Sequence, residues 1–522
     1  MNKKRGIIPR KIKGFRDISP AQNALRWHII TSAASVYRQF GFEQWDTPLM
    51  EYAECIGKFM PGEGLADGTV SDGIYSFKNP EDEPVYYEDF SLAKDGDRTI
   101  MDQFPVALRY DLTAPLARVY AEQLWADKLK NNLKEGKTPL LRRFQFGPVF
   151  RFEAKLDPGR FREFWQLDFD TVGATDMAAD TEVPVILYTA LRAIGLAEGS
   201  FVVKVNNRKV LKGFLTNLGI TDERSEQDIL RIIDKLDKIG LDGVADELGK
   251  GRKDSSGAFI KGLALDESIR TGIINFFQHF SIRKNRLEIL DALRMNIGDN
   301  EVSKAGLEEL GQIDHMLTSL GFDDTKVIFD PTLIRGMAYY TGPVFEVESL
   351  QTYMDEKGRE RRVGAICGGG RYDGLVEQSL GIKVPATGAS IGIDRLAELL
   401  TLTNQAGAAP AGPVFICAFD AELASEYQQI AHELRTAGIA AEVYYGTQKG
   451  LNKQLAYADA KNCPLAILMG SDEKAKGVVS IKNLKLGKEI AATISDKAEF
   501  NRKVQSEAPR AQIVHAIQQL LS

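Results

Sequence analysis

Two neighbouring stretches of the sequence carry charged and aromatic side chains at positions that could share one face of a hairpin. Residues 143–153 alternate between polar and mostly phenylalanine positions, and residues 162–170 alternate again after a Pro-Gly break. Because side chains alternate between the two faces of a strand, this pattern predicts two antiparallel strands with a common polar face. The positions on that face are arginines, carboxylates, glutamines and one phenylalanine: Arg143, Gln145, Arg151, Glu153, Arg162, Phe164, Gln166, Asp168 and Asp170. A purely structural hairpin would not need so many charged groups beside an aromatic ring, so we interpret this face as a binding surface.

The stretch 333–346 places Arg335 shortly before two adjacent tyrosines. Aromatic and β-branched residues between 337 and 347 predict a strand. Alternation would put Tyr339 and Tyr340 on opposite faces, so that one hydroxyl serves a pocket while the other ring packs. The alternative interpretation is a core strand with an incidental arginine.

Two glycine-rich stretches follow. Residues 367–374 predict a glycine turn that presents three polar side chains: Arg371, Tyr372 and Asp373. Residues 388–396 predict a strand that opens into a helix, with Arg395 near the junction. Neither stretch has the spacing of a Walker loop or a dinucleotide-binding fingerprint, so neither identifies a nucleotide site by itself.

The composition indicates a globular protein of several domains. With 522 residues and 44% hydrophobic composition, the chain has ample core for about three domains. The four cysteines lack CxxC spacing, the five histidines are scattered, and no apolar run approaches the roughly 20 residues of a membrane span. We therefore expect a cytoplasmic protein with no structural metal site and no membrane segment. The net charge of −6 argues against binding polyanions by bulk charge, but local basic patches leave RNA binding open.

The order of the predicted helices and strands divides the chain into domains. Ser19 and Gln22 predict the capped start of a first helix. Residues 201–325 are rich in helical patterns and predict an inserted domain. Residues 401–412 form a small-residue linker, and from residue 413 onward the pattern βαβαβ predicts a compact α/β domain.

Taken together, these stretches resemble the class II aminoacyl-tRNA synthetases, and among them the histidyl-tRNA synthetase family. Three stretches resemble the class II motifs 1, 2 and 3: residues 40–51, 150–164 and 388–396. Residues 335–340 and 369–374 resemble the two stretches that distinguish the histidine enzymes, and residues 451–459 resemble the anticodon-binding domain. The similarity extends over nearly the whole chain in the family's order.

The resemblance implies a fold of three parts. Residues 1–200 and 326–400 would form an α+β catalytic domain with an antiparallel sheet of the class II synthetase type. Residues 201–325 would form a helical insertion domain, and residues 413–522 a C-terminal α/β anticodon-binding domain. The family also implies a homodimer formed through the motif 1 region.

The implied activity is that of an ATP-dependent, AMP-forming aminoacyl-tRNA ligase. L-histidine and ATP would give histidyl-adenylate and pyrophosphate, with Mg²⁺ bridging the phosphates, and histidine would then pass to the 3′ end of tRNA-His. Such transfers are catalysed chiefly by positioning and charge neutralisation, a role that falls by resemblance to Arg335 and Arg151. Five residues would contact ATP: Arg151, Glu153, Arg160, Phe164 and Arg395.

By the same resemblance, eight residues would surround histidine: Asp111, Thr113, Gln166, Asp170, Arg335, Tyr339, Tyr340 and Tyr372. The first three would hold the α-ammonium, and Asp170 with Tyr340 and Tyr372 would hold the imidazole, which offers one donor and one acceptor when neutral. Many family members have glutamate where this chain has Asp111 and Asp170. Backbone or water would therefore have to close a gap of one methylene.

Two other functions remain open at this stage. A catalytically inactive relative could sense histidine or uncharged tRNA, because the loop 154–158 lacks the family's bacterial Arg-Pro step and Ala338 replaces its usual acidic residue. A nucleotide-binding oligomer without a role in RNA binding would leave residues 413–522 unexplained. The retained Arg151, Arg335 and Arg395 favour the active enzyme.

Overall fold

A computed structural model describes most of the chain, and its described ranges are residues 9–53, 55, 74–77, 106–134, 137–152, 159–253, 257–280, 285–334, 339–355, 357–405, 411–448, 450–491, 493–494 and 496–521. The chain forms two compact units, Met1–Ala406 and Gly407–Ser522. Within the described ranges, no helix is both long enough and apolar enough to cross a lipid bilayer.

The first unit is built on a large sheet. Its strands are β1 (Glu43–Gln44), β2 (Met50–Tyr52), β3 (Ser76–Phe77), β4 (Val106–Leu108), β5 (Leu141–Phe150), β6 (Glu163–Val172), β7 (Phe201–Asn207), β8 (Gly251–Lys253), β9 (Phe259–Lys261), β10 (Val327–Phe329), β11 (Pro343–Ser349), β12 (Thr352–Met354), β13 (Glu360–Arg362), β14 (Ala365–Arg371) and β15 (Ala386–Gly392). Eight of them form one sheet in the order β1-β5-β6-β15-β14-β11-β7-β10. The six inner strands pair antiparallel and the two edge strands pair parallel, which confirms the predicted α+β fold class.

Helices pack against this sheet in two separate hydrophobic clusters, the larger of which continues into the core beyond it. They are α1 (Pro20–Gln39), α2 (Thr113–Leu129), α3 (Met177–Ile194), α4 (Arg208–Asn217), α5 (Glu223–Ile233), α6 (Leu236–Leu248), α7 (Glu267–His279), α8 (Arg286–Asn296), α9 (Glu301–Ser319), α10 (Glu377–Leu380) and α11 (Ile393–Leu402). Helix α1 begins with the predicted capping box between Ser19 and Gln22. Its buried Tyr37 packs against Phe144 and Phe169 at ring-centroid distances of 5.8 and 4.8 Å. The apolar faces of β5 and β6 therefore point into the core, and their polar faces point away from it.

Two sequence predictions about this sheet were wrong. The predicted glycine turn at residues 367–374 is mostly strand β14, which lies between β11 and β15 in the sheet. Its glycines are needed for close packing, because a Cβ on Gly369 would collide with the carbonyl oxygen of Gly388. Residues 201–207, assigned from sequence to the helix-rich insertion, form β7 within the main sheet.

The second unit has its own sheet and its own core. Its strands are β16 (Val414–Ile416), β17 (Ala441–Val443), β18 (Leu465–Leu468), β19 (Val478–Asn483) and β20 (Gln505–Pro509). Its helices are α12 (Ala424–Thr436), α13 (Leu451–Ala460), α14 (Ser471–Lys476), α15 (Leu484–Ile490), α16 (Lys497–Val504) and α17 (Ile513–Leu521). The first three strands pair in parallel in the order β17-β16-β18, as the βαβαβ pattern predicted, and two antiparallel strands extend the sheet.

Candidate active site

A pair of buried carboxylates, Asp168 and Asp170, lies at the centre of the predicted binding surface. Strands β5 and β6 place Arg143 opposite Asp170 and Gln145 opposite Asp168, and all four side chains are buried. Arg143 Nη2 lies 3.1 Å from Asp170 Oδ2 and donates a 2.6 Å hydrogen bond to the carbonyl oxygen of Leu112. The strand alternation inferred from sequence is confirmed for these four residues.

Three tyrosines stand beside this carboxylate pair. Tyr372 Oη donates a 2.5 Å hydrogen bond to Asp170 Oδ1. The Tyr339 ring packs edge-on against Tyr340 and Tyr372, at centroid distances of 4.7 and 5.9 Å. Burial raises the pKa of Tyr339 and of Tyr372 well above the ordinary tyrosine value, so both hydroxyls remain protonated at neutral pH. Placing Tyr339 and Tyr340 on opposite strand faces was wrong, because β11 begins only at Pro343.

The polar groups predicted for an ammonium lie at the entrance to α2 and on β6. Asp111 Oδ1 accepts hydrogen bonds from the backbone N–H groups of Thr113 and Ala114, at 3.1 and 3.0 Å, so this carboxylate also caps α2. Gln166 is buried, and its Oε1 has no hydrogen-bond partner among the described residues. Since buried acceptors are rarely left unsatisfied, this oxygen indicates a place for a ligand N–H group or a water molecule.

Burial changes the proton affinity of both members of the carboxylate pair. Burial raises the pKa of Asp170, while the nearby Arg143 charge and the Tyr372 hydrogen bond oppose that rise. The pKa of Asp168 is raised to about 7, first by burial and then by the neighbouring Asp170, while Arg143 lowers it. A buried acid titrating near neutrality is typical of functional sites.

Aromatic rings and an arginine form the side predicted to bind ATP. The guanidinium carbon of Arg151 lies 4.2 Å from the ring centroid of Tyr110 and 5.1 Å from that of Phe164. Arg151 Nε also donates to the carbonyl oxygen of Tyr110 at 3.1 Å. Arg395 lies in the first turn of α11, and Arg160 lies in the connection that leads into β6, where it is partly buried.

One carboxylate joins this side of the site to the segment before α1 and to α1 itself. Asp394 Oδ1 accepts hydrogen bonds from Arg16 and Arg26, at 2.6 and 3.1 Å, and its Oδ2 accepts from the backbone N–H of Trp165 at 2.6 Å. We call this group of four residues the Asp394 clasp. Trp165 follows Phe164 and Asp394 precedes Arg395, so the clasp fixes the backbone beside two residues predicted to contact ATP.

Several predicted residues cannot be located in this arrangement. Arg335, Glu153, Ala338 and the loop 154–158 all lie outside the described residues. Sequence reasoning also left Arg143 and Asp168 out of the site, although their strand parity already placed them on its polar face. The Asp394 clasp carried no local sequence signal, because its members are far apart in the chain.

Comparisons with known proteins agree over the length of the chain. A family model described as histidyl-tRNA synthetase matches residues 99–396, and one described as an anticodon binding domain matches residues 413–517. The chain is 41% identical to the histidine–tRNA ligase of Ruegeria pomeroyi over 510 residues, which cover 98% of this chain and 96% of that protein. It is also 41% identical to the histidine–tRNA ligase of Rhodopseudomonas palustris, with 99% and 97% covered. The crystal structure of histidyl-tRNA synthetase from Nostoc sp. PCC 7120 matches with a TM-score of 0.67 at 26% identity, covering 98% of this chain and all of that one.

Proposed function

The chain belongs to the histidyl-tRNA synthetase family, and we propose that the carboxylate pair and its surrounding tyrosines form its histidine pocket. The protein activates L-histidine with ATP to histidyl-adenylate and pyrophosphate, and then transfers histidine to the 3′ end of tRNA-His. The location of the pocket is supported above all by Asp170, a buried carboxylate that contacts both Arg143 and Tyr372.

Recognition of the imidazole follows from the hydrogen-bonding groups of the pocket. Asp170 would accept the ring N–H, and the Tyr340 hydroxyl would meet the other ring nitrogen. A site that buries polar groups needing these partners rejects an isostere without them by about 10⁴-fold. Tyr339 supports this arrangement by packing against Tyr340 and Tyr372.

The α-ammonium would bind beside α2. Gln166 Oε1 is a buried acceptor, and Asp111 supplies a negative charge close to Tyr339 and the carboxylate pair. Thr113 lies in the first turn of α2, where its backbone N–H already orients the Asp111 carboxylate. This contact fixes the orientation of the shorter Asp111 side chain, and backbone or water would still have to close the gap of one methylene to the ammonium.

Activation requires the histidine carboxylate to attack the α-phosphorus of ATP in line with the departing pyrophosphate. Arg151 would neutralise charge on the α-phosphate, and Arg335 would meet the charge that develops between carboxylate and phosphate. Phe164 would stack on adenine, Glu153 would hold the adenine edge, and Arg160 and Arg395 would contact ATP at its phosphates. The contacts of Arg151 with the rings of Tyr110 and Phe164 support this assignment, because they hold the guanidinium beside the proposed adenine platform.

Mg²⁺ would enter together with ATP. No group of three His, Cys, Asp or Glu side chains suited to holding a metal ion occurs within the described ranges. Mg²⁺ commonly binds through substrate phosphates with few protein ligands, so this arrangement fits a metal carried by the nucleotide. The steps assigned here to protein residues do not depend on it.

We assign the second unit to the tRNA anticodon and propose that the protein is a cytoplasmic homodimer. In the motif 1 region the side chains of Leu49, Met50 and Tyr52 are each more than two-fifths exposed, which supports an apolar contact surface there. All four cysteines are free thiols, as expected of a reducing compartment. Sedimentation equilibrium tests the dimer, and a monomer at micromolar concentration would contradict it.

Histidine-dependent exchange of pyrophosphate into ATP tests the pocket assignment. We expect exchange with wild-type protein and a loss of at least about 100-fold in Asp170→Asn, because the buried carboxylate is the proposed imidazole acceptor. Unchanged pyrophosphate exchange in a folded Asp170→Asn protein would show that histidine does not bind at Asp170. Exchange without charging of tRNA would instead favour the histidine sensor that the sequence left open.

A further inference from the structure

Asp168 is a buried acid to which the proposed reaction gives no role. It lies two residues from both Gln166 and Asp170 on the same face of β6. Its side chain is buried, and its Oδ1 has no hydrogen-bond partner among the described residues. By contrast, Asp170 accepts from Tyr372 and lies beside Arg143. Asp170 Oδ2 likewise has no hydrogen-bond partner among the described residues, but Arg143 and Tyr372 favour the ionised form of Asp170. A proton entering this pair is therefore accommodated best on Asp168.

The described groups around Asp168 leave an excess of negative charge. Three carboxylates, Asp111, Asp168 and Asp170, interact with one another there. Arg143 is the guanidinium beside the pair. Arg109 also interacts electrostatically with Asp168, although its hydrogen bonds go to the carbonyl oxygens of Thr47, Pro48 and Pro148. Two guanidinium groups therefore face three carboxylates.

The remaining titratable and polar neighbours do not remove this excess. Ser390 of β15 lies opposite Asp168 and supplies a hydroxyl. Burial raises the pKa of Tyr37 of α1 well above its ordinary value. Tyr37 also interacts electrostatically with Asp168, Asp170 and Cys367 of β14, which raise its pKa further. A neutral phenol adds no compensating cation. The site is therefore neutralised either by a proton or by a bound cation.

We propose that Asp168 holds a proton while the pocket is empty and releases it when the α-ammonium of histidine binds. The inference rests on the histidine site proposed above, since Gln166 and Asp111 bring the ammonium to Asp168. In this role Asp168 is a positioning residue that couples substrate binding to proton release. It acts through the charge of the pocket and does not contact the reacting atoms.

The expected shift follows from Coulomb's law. Side chains two residues apart on a strand lie about 7 Å from each other, and a positive charge at that distance lowers a carboxyl pKa by about one to two units at an effective dielectric of about 20. A group with a pKa near 7 in the empty site is half protonated at pH 7 and nearly fully ionised once the cation is bound. About half a proton per site should then be released at pH 7, and less than about a tenth at pH 8.

Titration calorimetry in buffers of different ionisation enthalpy measures this release. The ligand should be the histidine analogue with a 1,2,4-triazole ring, because at pH 7 and 8 that ring stays neutral and the α-ammonium stays largely protonated. We expect about half a proton released per site at pH 7 and less than about a tenth at pH 8. If the analogue binds to the wild-type protein at pH 7 without release of a proton, the inference is overturned while the proposed histidine site still stands. Failure of both histidine and the analogue to bind would overturn the two together.

Two variants identify the group that releases the proton. Asp168→Asn keeps the shape but cannot exchange a proton, so release at pH 7 should fall to near zero while binding persists. Asp180→Asn is the matched control, because Asp180 is a second buried acid whose pKa is raised to about 6, but its partner is Arg371 at 2.7 Å. The control should release protons as the wild type does. Undiminished release in Asp168→Asn would refute the assignment. If that variant unfolds, the proton release of the wild type at pH 7 and pH 8 still decides it.

Discussion

At the scale of single residues, the Tyr372 hydroxyl determines how Asp170 presents its charge to a ligand. It donates the 2.5 Å bond that fixes Oδ1, and it opposes the rise in the pKa of Asp170 caused by burial. A hydrogen bond to a charged group contributes about 1.5–3 kcal/mol, so Tyr372→Phe should raise the KM for histidine about 10- to 100-fold. Pyrophosphate exchange kinetics should show little change in the KM for ATP.

The control for this variant is another buried tyrosine. Tyr188→Phe removes a hydroxyl that donates to the exposed Glu198 at 3.4 Å, outside the histidine pocket. Both KM values should remain at the wild-type level in this control. Equal rises in the two KM values for Tyr372→Phe would show a general loss of structure instead of a specific role in the histidine pocket.

At the scale of secondary-structure elements, β14 forms a floor of glycines beneath the tyrosines. A Cβ at Gly370 would lie 2.6 Å from Cδ1 of Tyr340, a ring already packed against Tyr339. Gly370→Ala should therefore displace Tyr340 and weaken histidine binding about 5- to 150-fold, which corresponds to an overpacking cost of about 1–3 kcal/mol. Gly374→Ala is the matched control, since its Cβ would meet only Glu377 Oε2 at 3.7 Å. Calorimetric titration with histidine compares the two, and similar affinities would contradict the role of the glycine floor.

The Asp394 clasp carries a second prediction at this scale. Arg16→Ala removes the 2.6 Å contact to Asp394 and loosens the backbone beside Phe164 and Arg395. The KM for ATP should rise about three- to tenfold, the range of a partly buried charged contact, with the KM for histidine nearly unchanged. The exposed Arg10 provides an alanine control on the same segment. A rise in the KM for histidine alone would contradict the placement of the clasp on the ATP side.

Local patterns predicted the elements that repeat within a few residues, such as the capping box of α1 and the alternating faces of β5 and β6. They did not predict β14, because its glycines have the composition of a turn and are explained only by Gly388 and Tyr340 from other strands. The pairing of Arg371 with Asp180 likewise joins residues 191 positions apart. The site residues Asp111, Thr113 and Gln166 came from family resemblance, since nothing in their spacing alone indicates an ammonium site.

At the scale of the whole molecule, the two units have separate cores. Residues such as Ile430, Ile467 and Ile481 are fully or almost fully buried within the second unit alone. A fragment of residues 1–405 should therefore keep histidine-dependent exchange within about threefold of wild type, while charging of tRNA falls at least about 100-fold. A fragment of residues 411–522 should unfold cooperatively on its own. Loss of exchange in the first fragment would show that the units depend on each other.

The Asp394 clasp also bears on how the nascent chain matures on the ribosome. Arg16 is synthesised early, and its partner carboxylate follows 378 residues later. At elongation rates of about 5–20 residues per second, that interval lasts roughly 20–80 s. The clasp therefore cannot form during most of translation, and Arg16 and Arg26 lack their Asp394 partner until α11 emerges. Chaperone capture of stalled chains that end before residue 394, and release of chains that extend well beyond it, would be the cellular signature of this delay.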